Sequence, residues 1–172
     1  MTTGTCFALA LAGSLMLPAL AGAQRPVDSD AINRLIDQYG ALEDAMDMTA
    51  QAKLMTADRV WIAWGGGRRT DQATNMRIQQ AAFDVLKKQL PGIQTFTEDR
   101  DRLIKFYANG SVAIASFYRY TTTVFPPNTP PDAANAAAPL PPAAITLVLE
   151  KRDGDWKIVH THLSNLAPAG GN

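Results

Sequence analysis

The run Ala144-Ile145-Thr146-Leu147-Val148-Leu149-Glu150-Lys151-Arg152-Asp153-Gly154-Asp155-Trp156-Lys157-Ile158-Val159-His160-Thr161-His162-Leu163-Ser164 restricts the fold more than any other stretch. Two segments rich in β-branched and aromatic residues flank Asp153-Gly154, a pair that tolerates the positive φ of a two-residue type I′ turn. The spacing therefore predicts a β-hairpin. Counting outward from the turn pairs Lys151 with Trp156, Leu149 with Ile158, Leu147 with His160 and Ile145 with His162 on one face. Glu150 with Lys157, Val148 with Val159 and Thr146 with Thr161 fall on the other. The first face is the more apolar and is expected to cover a core or line a cavity, with the two histidines at its far end.

The rest of the chain offers partners for that hairpin. Ile32, Leu35, Ile36, Tyr39, Leu42 and Met46 recur at three- and four-residue steps between Asp28 and Met48, the mark of an amphipathic helix on a core, with Asp28 or Ser29 as its expected N-cap. A short second helix is expected from Thr49 to Thr56, then a strand through Val60-Trp61-Ile62-Ala63-Trp64. Gly65-Gly66-Gly67 breaks that strand, and Arg68-Arg69-Thr70 is expected to return beside it. These glycines lack the Lys-Ser/Thr ending of a phosphate loop, so they read as a hairpin turn. A third helix is predicted from Asp71 or Thr74 to Leu90, stopped by Pro91-Gly92.

Two long strands follow, Thr95 to Ala108 and Ser111 to Phe125, joined by Asn109-Gly110. Ile104, Phe106, Ala113, Ala115 and Phe117 share one face; Leu103, Tyr107, Val112, Ile114, Tyr118 and Tyr120 share the other. The Pro- and Ala-rich run 126–144 cannot sustain a ladder, because proline has no N–H to donate, and reads as an extended loop. The tail 168–172 is expected to be disordered.

Residues 1–23 carry no charged side chain, contain an apolar run and end in Ala21-Gly22-Ala23, a small-x-small cleavage pattern. They read as a signal peptide cut before Gln24, which places the protein in the periplasm or outside the cell and leaves 24–167 as one domain. The one cysteine, Cys6, falls inside that segment, so the mature chain has neither a disulfide nor a thiol. With 16 basic and 16 acidic residues and no basic cluster, the composition gives no electrostatic reason to expect nucleic acid or an anionic membrane as a partner.

His160 and His162, the only histidines, stand about 6.6 Å apart if they share a strand face. Such a pair can supply a general base or hydrogen bonds to a ligand. A metal site needs a third ligand, and none stands at a matching spacing, so neither metal nor cofactor is expected. Ser164 extends the same face without an acid to complete a Ser-His-Asp set. Arg119 sits in mid-strand among aromatics, where an unpaired guanidinium is costly; it either pairs with Glu98 or Asp99 or meets an anionic ligand, and pairing is the favoured reading.

The hairpin pattern T-L-V-L-x-K-x-D-G-x-W-K-I-V-H-x-H-x-S resembles the end of SnoaL-like domains in the nuclear transport factor 2-like superfamily. The resemblance implies an α+β fold: a cone-shaped, curved antiparallel sheet with the N-terminal helices packed on its concave side around a small-molecule cavity. Gln38-Tyr39 is similar to the segment that carries a catalytic tyrosine in the related ketosteroid isomerases. The isomerase base, however, would fall near Ala63 and its second acid near Val148, neither of which ionises. By the same resemblance Trp61 points into the cavity.

The expected function is binding of a small, largely apolar molecule, with Tyr39, His160 and His162 as the catalytic candidates and Trp61, Phe117, Arg119 and Ser164 as ligand contacts. One alternative is a cyclase or isomerase using His160 or His162 as base and Tyr39 as donor. The other is a homodimeric interaction module joined through the outer sheet face.

Overall fold

The computed structural model describes residues 19–63, 67–132 and 141–166. Nearly all of the expected signal peptide, Cys6, Trp64-Gly65-Gly66, the centre of the Pro/Ala-rich run and the tail lie outside the described residues.

Helix α1 (Ala19–Asp44) leads through the short α2 (Met48–Gln51) and a 3-10 turn (Ala52–Leu54) into β1 (Met55–Ile62) and β2 (Arg68–Arg69). Helix α3 (Gln72–Gln89) precedes four long strands, β3 (Gln94–Tyr107), β4 (Val112–Val124), β5 (Ala143–Arg152) and β6 (Asp155–Asn165). The six strands form one sheet in the order β2-β1-β6-β5-β4-β3. Every neighbour is antiparallel except β1 and β6, which run parallel, so the antiparallel sheet expected from the sequence is mixed at that one seam.

The stripe on α1 does what its spacing predicts: Ile32, Leu35, Ile36 and Tyr39 are buried against the sheet. The expected cap does not form. Asp28 lies inside the helix, and its Oδ1 accepts from Trp156 Nε1 at 3.1 Å and Lys151 Nζ at 2.6 Å, tying α1 to the C-terminal hairpin. Asp71, by contrast, caps α3 by accepting from the Thr74 N–H at 3.1 Å. The second helix ends earlier than its pattern suggests, because Met55 already belongs to β1.

The Asp153-Gly154 turn forms with both residues at positive φ, 53° and 91°, as a type I′ turn requires. The β3–β4 connection is longer than two residues: Tyr107 pairs with Val112, and Ala108 to Gly110 form a 3-10 turn between them. The two faces of β3 and β4 divide as the alternation predicts. Ala113, Ala115 and Phe117 are buried, with Ile104 and Phe106 packed against them, while Leu103, Tyr107, Tyr118 and Tyr120 are exposed on the outer face.

The pairing of the C-terminal hairpin departs from a simple count. Leu149 faces Ile158 as expected, but Val148 faces His160, Leu147 faces Thr161 and Thr146 faces His162. Val159 is the extra residue of a β-bulge. One inserted residue exchanges the faces of everything beyond it. Leu147 and Thr161 therefore point into the core, both fully buried, and the histidines point out.

Candidate functional site

The inner face of the sheet carries a buried polar cluster under α1. Its centre is Arg119, which lies directly opposite Asp99 in the β3–β4 ladder. Arg119 Nε and Nη2 donate to Asp99 Oδ1 and Oδ2, each at 2.8 Å, and Nη1 donates to Glu43 near the end of α1. Both partners of the Arg119–Asp99 pair are shut off from water, with side chains 5% and 3% exposed. This is the pairing favoured from the sequence, with Glu43 added. Glu98 turns away to Arg100.

The guanidinium lies 4.9 Å from the centre of the Tyr39 ring and 5.8 Å from that of Phe117, within cation–π range of both. Burial opposes its charge, yet Glu43, Asp99 and Tyr39 outweigh burial and hold its pKa above the usual value. Helix α1 reaches this cluster at Gly40, where a Cβ would stand 3.5 Å from Asp99 Oδ2 and 3.7 Å from Arg119 Nη2. A small residue at that point lets the helix lie directly on the ion pair.

A second arginine, Arg59 of β1, is also buried on this face, at 2% exposure. Its Nε donates to Thr161 Oγ1 at 3.2 Å, and Nη1 lies 3.6 Å from Met76 Sδ. No carboxylate among the described residues forms an ion pair with it. Burial pulls its pKa down, against the influence of Tyr39 and Glu43. Tyr39 is pushed up, first by burial and then by the Glu43 charge, so its hydroxyl keeps its proton and can donate.

The structure thus brings together Tyr39, Phe117 and Arg119. Trp61 faces Thr161 across the β1–β6 seam and shares that inner side. His160, His162 and Ser164 are not part of the group. His160 is half-buried, whereas His162 and Ser164 are exposed, and all three lie on the outer face beyond the bulge. Glu43 and Arg59 look in sequence like solvated charges. The available signal for Arg59 is parity, since it stands two residues before the inward Trp61 in one strand. Among the described residues no three His, Cys, Asp or Glu side chains converge as metal ligands. None of the described helices is long and apolar enough to cross a membrane.

The pKa of His160 is lowered, first by burial and then by His162 and Arg59. The folded protein therefore disfavours the imidazolium, while the unfolded chain takes up a proton near pH 6.5. Stability should fall as pH drops below that value towards the lower folded-state pKa. Urea midpoints followed from pH 7.5 to 5.5 should decline more steeply for the native chain than for His160→Gln. Parallel curves would show that His160 is not responsible.

A six-stranded mixed sheet with its helices packed against one face agrees with the nuclear transport factor 2-like architecture that the hairpin pattern implies. The SnoaL-like domain model matches residues 32–169, and the chain belongs to that family. Solved structures agree on the fold. An NTF2-like protein with a cystatin-like fold from Novosphingobium aromaticivorans superposes with a TM-score of 0.64 at 18% identity, covering 90% of this chain and 92% of that one. A Catenulispora acidiphila protein in complex with S-DNPA gives 0.63 at 14% identity, over 80% and 92% of the two chains. ActVI-ORFA from Streptomyces coelicolor gives 0.60 at 15% identity, over 79% and 95%. No curated protein matches the chain in sequence.

Proposed function

We propose that the chain is an exported protein that binds a small, largely apolar molecule on the inner face of its sheet, against Tyr39, Trp61 and the buried arginines. The observation that carries this reading is the concentration of Tyr39, Phe117 and Arg119 beneath α1, with Arg59 buried on the same face against β6 and α3, in an interior that packing alone would fill with aliphatic side chains. The Catenulispora relative, crystallised with a small molecule, supports it by analogy of fold. Export rests on the composition of residues 1–23. A catalytic version of the reading falls to Tyr39 as hydrogen-bond donor; the histidines stand across the sheet from it.

A second reading, a homodimer formed through the outer face, is favoured by Leu103, Tyr107, Tyr118 and Tyr120, which expose apolar surface there. Native mass spectrometry of protein isolated from the periplasm or culture fluid tests both readings. The expected result is a mass beginning at Gln24, in a dimer, with a small organic adduct. Retention of residues 1–23 would remove export. A bare protein whose Tyr39 and Trp61 resonances ignore a panel of apolar ligands would remove binding.

A further inference from the structure

We propose that Arg59 recognises the carboxylate of a small monoanionic ligand on the inner face of the sheet. This rests on the small-molecule reading above and names the chemistry of what is bound.

A guanidinium has five N–H donors in a planar fork. Thr161 Oγ1 and Met76 Sδ occupy two of those on Arg59, and the sulfur is a weak acceptor. The remaining donors meet no acceptor among the described residues, in a side chain that is 98% removed from water by its 2% exposure. A buried cation in that state is costly unless an anion completes it. The acids buried on this face are committed to Arg119: Asp99 takes two of its hydrogen bonds, and Glu43 takes a third. Tyr39 belongs to the Arg119 group, its ring centre 4.9 Å from that guanidinium.

Charge and shape choose among anions. Arg59 and Arg119 formally balance Asp99 and Glu43, so a dianion such as a phosphate monoester would leave two excess negative charges inside. A carboxylate leaves one, set against a Glu43 side chain that is 34% exposed and therefore screened by water. Two coplanar carboxylate oxygens also match the fork of Nη1 and Nη2. Trp61 on the same face and Met76 beside the guanidinium suit an apolar or aromatic body behind that carboxylate.

Three probes of one shape test this on the full mature chain by calorimetric or NMR titration: benzoate, its neutral analogue benzamide and the dianion phenyl phosphate. Benzoate should bind about tenfold or more tightly than benzamide, the ratio that one charge-assisted contact supplies, and more tightly than phenyl phosphate. Arg59→Met should erase that preference, bringing benzoate down to the level of benzamide, with the urea midpoint unchanged or raised. Arg59→Lys, which keeps the charge and loses the fork, should retain part of the preference.

Equal binding of benzoate and benzamide to the native chain would overturn anion recognition and leave small-molecule binding standing. Absence of benzoate binding would overturn it too, with the broader reading decided separately by the adduct in native mass spectrometry. A large fall in the urea midpoint for both variants would make Arg59 a residue of the fold, and the proposal would be wrong.

Discussion

Asp99→Ala should lower the free energy of unfolding by about 3–5 kcal/mol, the cost of leaving one member of a buried ion pair without its partner. Arg119 and Asp99 have side chains only 5% and 3% exposed, and the pair is joined by two hydrogen bonds at 2.8 Å. Water cannot replace the lost carboxylate without opening the contact between α1 and the sheet at Gly40. Glu43 stays on Nη1 and limits the damage, so the lower half of that range is the better expectation. The measurement is a urea titration, read as a fall in midpoint at unchanged slope.

Replacing both members by apolar residues, Asp99→Leu with Arg119→Met, should recover most of the loss, since the cost lies in the orphaned charge rather than in the missing attraction. A loss below about 1 kcal/mol for Asp99→Ala would mean that the guanidinium reaches water, as surface pairs do.

The same comparison separates the two buried arginines. Arg119 is matched by acids of its own chain, and removing an acid should hurt. Arg59 has no such acid, and removing the arginine itself should not. One interior thus holds a charge that serves the fold and a second whose partner the described residues do not supply. That contrast, and not the number of polar side chains, makes the inner face of β1 the place to look for a ligand.

Much of this was legible in the chain. The Asp153-Gly154 turn, the inner residues of β3 and β4 and the stripe of α1 follow from turn chemistry and periodicity alone, because each depends on neighbours close in sequence or directly opposite in a ladder. The bulge at Val159 was not legible. Ile158, Val159 and the residues around them are all at home in a strand, and a bulge without glycine leaves no local mark, so simple alternation runs one residue too far and puts the histidines on the inner face. Asp28 misled for a related reason. It has the chemistry of a helix cap, but its partners Trp156 and Lys151 lie more than a hundred residues away, 128 and 123 positions respectively. Arg59 carries no mark in the sequence, because a lone arginine in a strand is ordinarily solvated; only the packing of α3 and β6 around it makes it buried.

Leu147→Ala and Val148→Ala, adjacent substitutions in β5, should differ severalfold in their cost and so test the bulge directly. Leu147 is fully buried against the core under α1, and its truncation removes transfer free energy and leaves a cavity, about 3–5 kcal/mol together. For a domain of this size that is a fall in melting temperature of roughly 10 °C. Val148 lies on the outer face opposite His160 and keeps partial contact with water, so its loss should stay below about 1 kcal/mol. His162→Ala, on the same outer side and exposed, should be near neutral. The ladder without a bulge would instead put His160 and His162 beside Leu147 in the interior, where truncating either ring would leave a cavity and cost as much as truncating the leucine. A scan in which the histidines matched Leu147 would restore that arrangement; one in which they follow Val148 fixes both rings on the outside of the sheet and leaves Tyr39 and the arginines as the interior chemistry of this chain.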